Sequence, residues 1–276
     1  MGSPSNASTA VRELAYPDYE ARQREEITPE GLADRLRRLG VGGRATWRAA
    51  AGRWEPQPYP GWALQAMADR AGPNRSTIES LVHLREALCR PFEGSGPDRP
   101  PALFPLPRAS FHQTVANTFS ADRRERHLVA PGLEAEWPRR IARSLARIRV
   151  PRRPDPVCMR LIGISLFRTA IGILGVFPQE THFDRVVGFR DAFYSDTELT
   201  ALGLERTRPF IGHITLAYVE RSLTAHEGEA LVDRIVHLNG NLPAEGLPYL
   251  MPEARLHRYD TLAAFVTRPD WPAIQL

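Results

Sequence analysis

The chain has 276 residues, a formal net charge of +4, 42% hydrophobic residues and 25% charged residues. These values fit an ordinary globular protein of one large or two small domains, and they exclude a wholly disordered chain, a coiled coil and a collagen-like fibre. No apolar run is long enough for a membrane-spanning helix, the N-terminus lacks the apolar core of a signal peptide, and Cys89 and Cys158 alone make neither a disulfide framework nor a four-thiolate zinc site.

A monomeric protein of the cytoplasm, off the membrane, is therefore expected. All 36 basic residues are arginine. Compositional bias accounts for this most simply, although guanidinium is also the side chain best shaped for phosphate. The absence of lysine excludes Schiff-base catalysis and a P-loop, both of which need that amine.

In chain order, residues 1–26 read as a loose polar extension. Thr28-Pro29-Glu30 opens a helix, with a capping hydroxyl followed by proline at the first helical position. Leu32, Leu36 and Leu39 form its apolar stripe, and Gly40 ends it. Residues 41–61 read as loop, so residues 1–60 form an N-terminal extension with one helix, ahead of a main domain over 61–276. Trp62 to Met67 reads as a strand, broken by Gly72-Pro73-Asn74. Ser76 to Cys89 has helical spacing. A proline- and glycine-rich loop spans 91–107, and Ser110 to Phe119 alternates as a strand. Residues 133–149 predict a helix with Leu133, Trp137, Ile141 and Leu145 on one face and arginines over much of the rest, read as a solvated face. Two apolar runs from Val157 to Phe177 flank Arg168-Thr169 and predict a hairpin. Phe183 to Tyr194 predicts a helix, Arg208 to Val219 a strand, Thr224 to Leu238 a helix, and Leu262 to Val266 a last strand. Five or six strands interleaved with four or five helices point to a mixed α/β or α+β protein, not a bundle or a sandwich.

Two of the eight histidines stand in the pattern His-x-Thr within an apolar strand: Phe111-His112-Gln113-Thr114-Val115 and Gly212-His213-Ile214-Thr215-Leu216. Residues i and i+2 of a strand share a face. His112 and Thr114 would stand side by side, as would His213 and Thr215. A threonine hydroxyl can donate to a phosphoryl oxygen, and an imidazole titrates near neutral pH. Two such strands facing each other place two imidazoles across one phosphate. One can take the proton of the attacking hydroxyl while the other protonates the leaving oxygen. The two hydroxyls then hold the non-bridging oxygens as charge builds. No metal or other cofactor is called for.

The paired motifs, SFHQTVAN at 110–117 and GHITLAY at 212–218, resemble those of the 2H phosphoesterase superfamily, nearest to its less characterised bacterial branch. The resemblance covers residues 60 to 268. It implies an α+β bilobal fold in which two lobes, each a small antiparallel sheet flanked by helices, enclose the active cleft. It also implies a cyclic phosphodiesterase, or a relative of the RNA 2′-5′ ligases, acting on a phosphorylated small molecule, a nucleotide or an RNA end. Two alternatives stay open: a module that binds a nucleotide or RNA end without turnover, and a tailoring enzyme on a phosphorylated metabolite.

Further residues are candidates for substrate contact. Ser110 shares the predicted face of His112. Arg160 and Arg168 flank the hairpin, within reach of a phosphate. Tyr218, five positions after His213, should by alternation face away and pack in the core, yet it belongs to the motif and is kept as a candidate. His182 reads as an exposed loop residue. Neither cysteine stands in a nucleophile context, and Gly-x-Ser-x-Gly, His-Glu-x-x-His and Gly-x-Gly-x-x-Gly are absent.

Overall fold

The computed structural model describes residues 11–39, 46–50, 53–68, 72–93, 101–149, 155–220 and 222–276. The expected helix stop at Gly40 lies outside them, as do residues 94–100 of the proline- and glycine-rich loop. The chain opens with α1 (Tyr16–Glu25) and α2 (Pro29–Arg37). The latter is capped as its sequence predicts: the Thr28 hydroxyl accepts from the Gly31 amide at 3.1 Å, and Pro29 follows. A hairpin of β1 (Trp47–Ala50) and β2 (Arg53–Pro56) precedes β3 (Gly61–Met67). Next come α3 (Arg75–Cys89), the short β4 (Leu103–Pro105) and β5 (His112–Ser120). A single turn, α4 (Ala121–Arg124), runs into a π-helical turn and then α5 (Trp137–Arg147). The predicted hairpin is β6 (Val157–Leu166) and β7 (Ala170–Val176), followed by α6 (Glu180–Tyr194) and α7 (Thr197–Ala201). The rest is β8 (His213–Val219), α8 (Ala225–Gly240), β9 (Leu247–Met251), β10 (Glu253–Thr261), β11 (Ala264–Val266) and β12 (Ala273–Gln275).

The strands form two five-stranded antiparallel sheets beside the β1–β2 hairpin. One runs β11-β10-β3-β5, with β12 also on β10, and the other runs β4-β8-β7-β6-β9. The protein is α+β, with helices packed against both sheets. Each His-x-Thr motif opens one strand, β5 in the first sheet and β8 in the second. These two strands meet where the sheets come together. No helix of the described residues is long and apolar enough to cross a membrane.

The N-terminal segment corrects the expectation of a loose extension with one helix. Its residues 16–25 form a helix whose buried face is Tyr19 and Gln23, four positions apart. The Tyr19 hydroxyl donates to the Gly175 carbonyl at 2.6 Å, and Gln23 Nε2 donates to the carbonyls of Gly175 (3.0 Å) and Gly212 (2.8 Å). Glu13 forms an ion pair with Arg190 at 2.7 Å, with both side chains almost wholly buried. Arg190 also donates to the carbonyls of Val115 (2.6 Å) and Arg208 (3.0 Å). The segment before α2 thus holds the main chain leading into β8. The approach is close enough that a Cβ at Gly212 would collide with the Tyr19 hydroxyl and the Met159 sulfur.

The arginine face of α5 is not simply solvated. Arg147 pairs with Asp196 at 2.6 Å, and Arg143 pairs with Glu198, both acids lying at the start of α7.

Candidate functional site

A cleft of ≈ 620 Å³ lies between β5 and β8, and His112, Thr114, His213 and Thr215 all line it. The two strands share more than the tripeptide. Along β5, Leu64 pairs with Ala116 and Gln65 with Thr114, which leaves Val115 as an extra residue. Along β8, Ile171 pairs with Ala217 and Gly172 with Thr215, which leaves Leu216 as an extra residue. Each is a β-bulge directly after the motif threonine, and a bulge re-phases the side chains beyond it. Histidine, threonine and the residue five places after the histidine therefore share the cleft face in both strands. In β5 that residue is Asn117, and in β8 it is Tyr218.

This corrects the alternation argument for Tyr218. Strict period-two counting turns its ring to the core, and the bulge at Leu216 turns it to the cleft. The lone sequence cannot show a bulge, because the extra residue looks like any other apolar strand position.

The two imidazoles are oriented alike. His112 Nδ1 lies 2.7 Å from the Ser110 carbonyl, and His213 Nδ1 lies 3.1 Å from the Ile211 carbonyl. A carbonyl only accepts, so Nδ1 carries the proton in each ring and the neutral tautomer leaves a lone pair on Nε2. A phenylalanine braces each ring: Phe265 against His112 at 4.4 Å between centroids, and Phe167 against His213 at 5.1 Å. Withdrawal from water pushes both pKa values down to about 4. His213 is lowered further by the Arg208 guanidinium and by His112 itself.

The other candidates divide. Arg168, on the turn between β6 and β7, lines the cleft. Ser110 does not. It belongs to a helical turn ahead of β5, is buried, and donates its hydroxyl to the Pro107 carbonyl at 2.7 Å. Only its carbonyl serves the site, by orienting His112. Arg160 is also absent from the cleft. It sits on β6, opposite Val176 and Pro248, and β7 separates that strand from β8. His182 is not an exposed loop residue: it lies buried on α6, with Nε2 3.2 Å from an Asp155 carboxylate oxygen.

The sequence reading missed Arg208, Arg123, Tyr59, Tyr259 and Gln65, all of which line the cleft. They come from separate elements, and none carries a local pattern. Among the described residues no aspartate or glutamate lines the cleft, whereas three arginines and two histidines do. The site is therefore electropositive and suits an anion. Among the described residues no cluster of histidine, cysteine, aspartate and glutamate could hold a metal ion.

No family model and no curated protein matches the chain. Solved structures do. The conserved protein of unknown function ATU0111 from Agrobacterium tumefaciens str. C58 is similar with a TM-score of 0.56 and 16% identity, over 85% of this chain and 97% of that one. TT0787 of Thermus thermophilus gives a TM-score of 0.41 and 17% identity, over 79% of this chain and 94% of that one. The likeness to the Agrobacterium protein is one of fold.

Proposed function

We propose that this protein is a phosphoesterase of 2H type, acting on a 2′,3′-cyclic phosphate or a related nucleotide or RNA-end phosphodiester. The two sheets then serve as its two lobes. The observation that carries this reading is the pair of His-x-Thr strands, bulged at the same place and facing one cleft that, among the described residues, no carboxylate lines. Both Nδ1 atoms are committed to main-chain carbonyls, so both Nε2 atoms are left for chemistry.

The reaction that fits is hydrolysis. Nε2 of one imidazole takes a proton from water as the water oxygen attacks phosphorus. The P–O bond to one ribose oxygen breaks, and Nε2H of the other imidazole protonates that oxygen. Thr114 and Thr215 donate to the non-bridging oxygens as negative charge grows. Both proton transfers use side chains of this chain, and the scheme asks no metal of the site. Left to the protein's own surroundings both rings are neutral at pH 7. A phosphodiester anion bound between them favours the imidazolium of one, which makes that ring the acid.

The test is a panel of 2′,3′-cyclic nucleotides and cyclic-phosphate-ended oligonucleotides, assayed with chelator present. Turnover is expected in chelator and is expected to vanish in His112→Ala and in His213→Ala. Turnover that survives either substitution overturns the reading. The lowered pKa of both imidazoles also favours a second reading, a module that holds such an anion without turnover. Binding with no product by mass spectrometry would select it.

A further inference from the structure

Among the described residues three guanidinium groups line the cleft, and they are not equivalent. Arg123 is committed: it donates to the Gly203 carbonyl at 2.9 Å and pairs with Glu205 at 3.4 Å. Arg168 stands on the hairpin turn and has its own interactions. Among the described residues, no carbonyl or carboxylate partners the Arg208 guanidinium. Its surroundings are His213, Tyr218, Tyr59 and Tyr194, with a second cation, Arg190, nearby.

The backbone that carries Arg208 is held on several sides. Its carbonyl accepts from Arg190 at 3.0 Å, the Phe210 amide donates to Glu13 at 2.5 Å, and the Phe210 carbonyl accepts from Arg22 at 2.9 Å. The main chain is thus anchored, while the charged head faces the cleft without a counter-ion. Arg208 is an exposed residue of the cleft, so a ligand can reach its guanidinium. With a second cation nearby and, among the described residues, no protein anion on it, an anionic ligand is the counter-ion it suits. Guanidinium presents parallel N–H groups that match two oxygens of a phosphoryl group.

We propose that Arg208 is the anion-binding residue of this cleft, gripping the non-bridging oxygens of the phosphoryl group held between His112 and His213. The proposal rests on the phosphoryl reading of the cleft but not on turnover. It gives the two histidines different surroundings. A fixed cation beside His213 disfavours an imidazolium there, so His213 stays neutral and serves as base. His112 is then the ring that takes the acid's proton.

The experiment is an NMR titration of the imidazole signals with inorganic phosphate, in the wild type, Arg208→Met and Arg208→Lys. Phosphate is expected to move both histidines in the wild type. Affinity should fall roughly ten- to hundredfold in Arg208→Met, the loss expected for a charge-assisted contact, and recover in part in Arg208→Lys. Without phosphate, Arg208→Met should raise the titration midpoint of His213 and leave that of His112 in place, which a merely structural role would not do. If the methionine variant fails to fold, Arg208→Gln carries the same comparison. Undiminished phosphate affinity in the variants overturns the assignment of Arg208. Wild-type protein that ignores phosphate overturns the phosphoryl reading and this proposal together. Wild-type binding without turnover of any cyclic phosphate overturns hydrolysis and leaves Arg208 in place.

Discussion

Gln113 ties the two motifs together. Its Oε1 accepts the His213 amide proton at 2.6 Å, and its Nε2 donates to the Ile211 carbonyl at 3.1 Å. The residue between the first histidine and its threonine thus holds the main chain of the second histidine. The Ile211 carbonyl also takes the proton of His213 Nδ1, so one side chain of β5 fixes both the position and the tautomer of the facing imidazole. Gln113 is wholly buried, and an amide offers the donor and the acceptor that this clasp needs together.

Replacing Gln113 with leucine should therefore cost more than packing. It leaves the His213 amide without its partner, at a cost of about 1–3 kcal/mol. Chemical denaturation should show that loss. Hydrolysis per folded molecule should fall as well, because His213 loses its support. An unchanged rate per folded molecule would show that the clasp matters for folding alone.

The threonines test the chemistry more directly. Thr114→Val and Thr215→Val keep the β-branched shape and remove the hydroxyl. Both positions are only half-buried in the cleft, so melting temperatures should move little. Rates should fall roughly a hundredfold, as for the loss of one oxyanion donor, and serine should restore a substantial part. A fall in stability with level specific activity would make the hydroxyls structural.

Acid should weaken the protein through its histidines. Both imidazoles titrate near 4 in the fold, against an ordinary value of about 6.5. Between these values the unfolded chain binds more protons, so stability is full above pH 6.5 and is lost as pH falls toward 4. Urea unfolding of the wild type and of a His112→Asn, His213→Asn double variant should show the smaller acid loss in the variant. Bound anion reverses the trend. Sulfate, which does not itself titrate in this range, should bind more tightly as pH falls, with proton uptake measurable by calorimetry in buffers of different ionisation enthalpy.

The Glu13–Arg190 pair should be among the stability-critical contacts. Arg190→Met takes from the buried Glu13 carboxylate the nearer of its two arginines, leaving Arg206 at 3.5 Å, and removes donors from Val115 and Arg208, a loss of about 3 kcal/mol. Adding Glu13→Gln should recover part of it. Equal stability of the single and double variants would show that the carboxylate is not the source of the cost.

Much of the chain was legible from local pattern. Helical spacing marked α3, α6 and α8, and the hairpin of β6 and β7 followed from two apolar runs around a polar turn. The His-x-Thr repeats marked the ends of two strands, because chemistry that needs two side chains on one face leaves a period-two trace. Helix α1 left no such trace. Its buried face is a tyrosine and a glutamine that bond to main-chain carbonyls, so it docks without an apolar stripe. Strands β9 and β10 were missed from Leu247 to Thr261, where Pro248 and Pro252 interrupt the alternation.

The sequence by itself determined which residues could do proton transfer and that they came in pairs. Tertiary structure decided the rest of the cleft. Two bulges put Tyr218 and Asn117 on the working face, a helical turn removed Ser110, and one intervening strand kept Arg160 away. The Gln113 clasp joins residues 100 positions apart, and the main chain beside Arg208 is held at Phe210 by Glu13, 197 positions away. Local pattern is blind to such partners, because a strand's own period is set by its backbone. The charge and hydrogen bonding of a cleft are set by whichever strands fold to face each other.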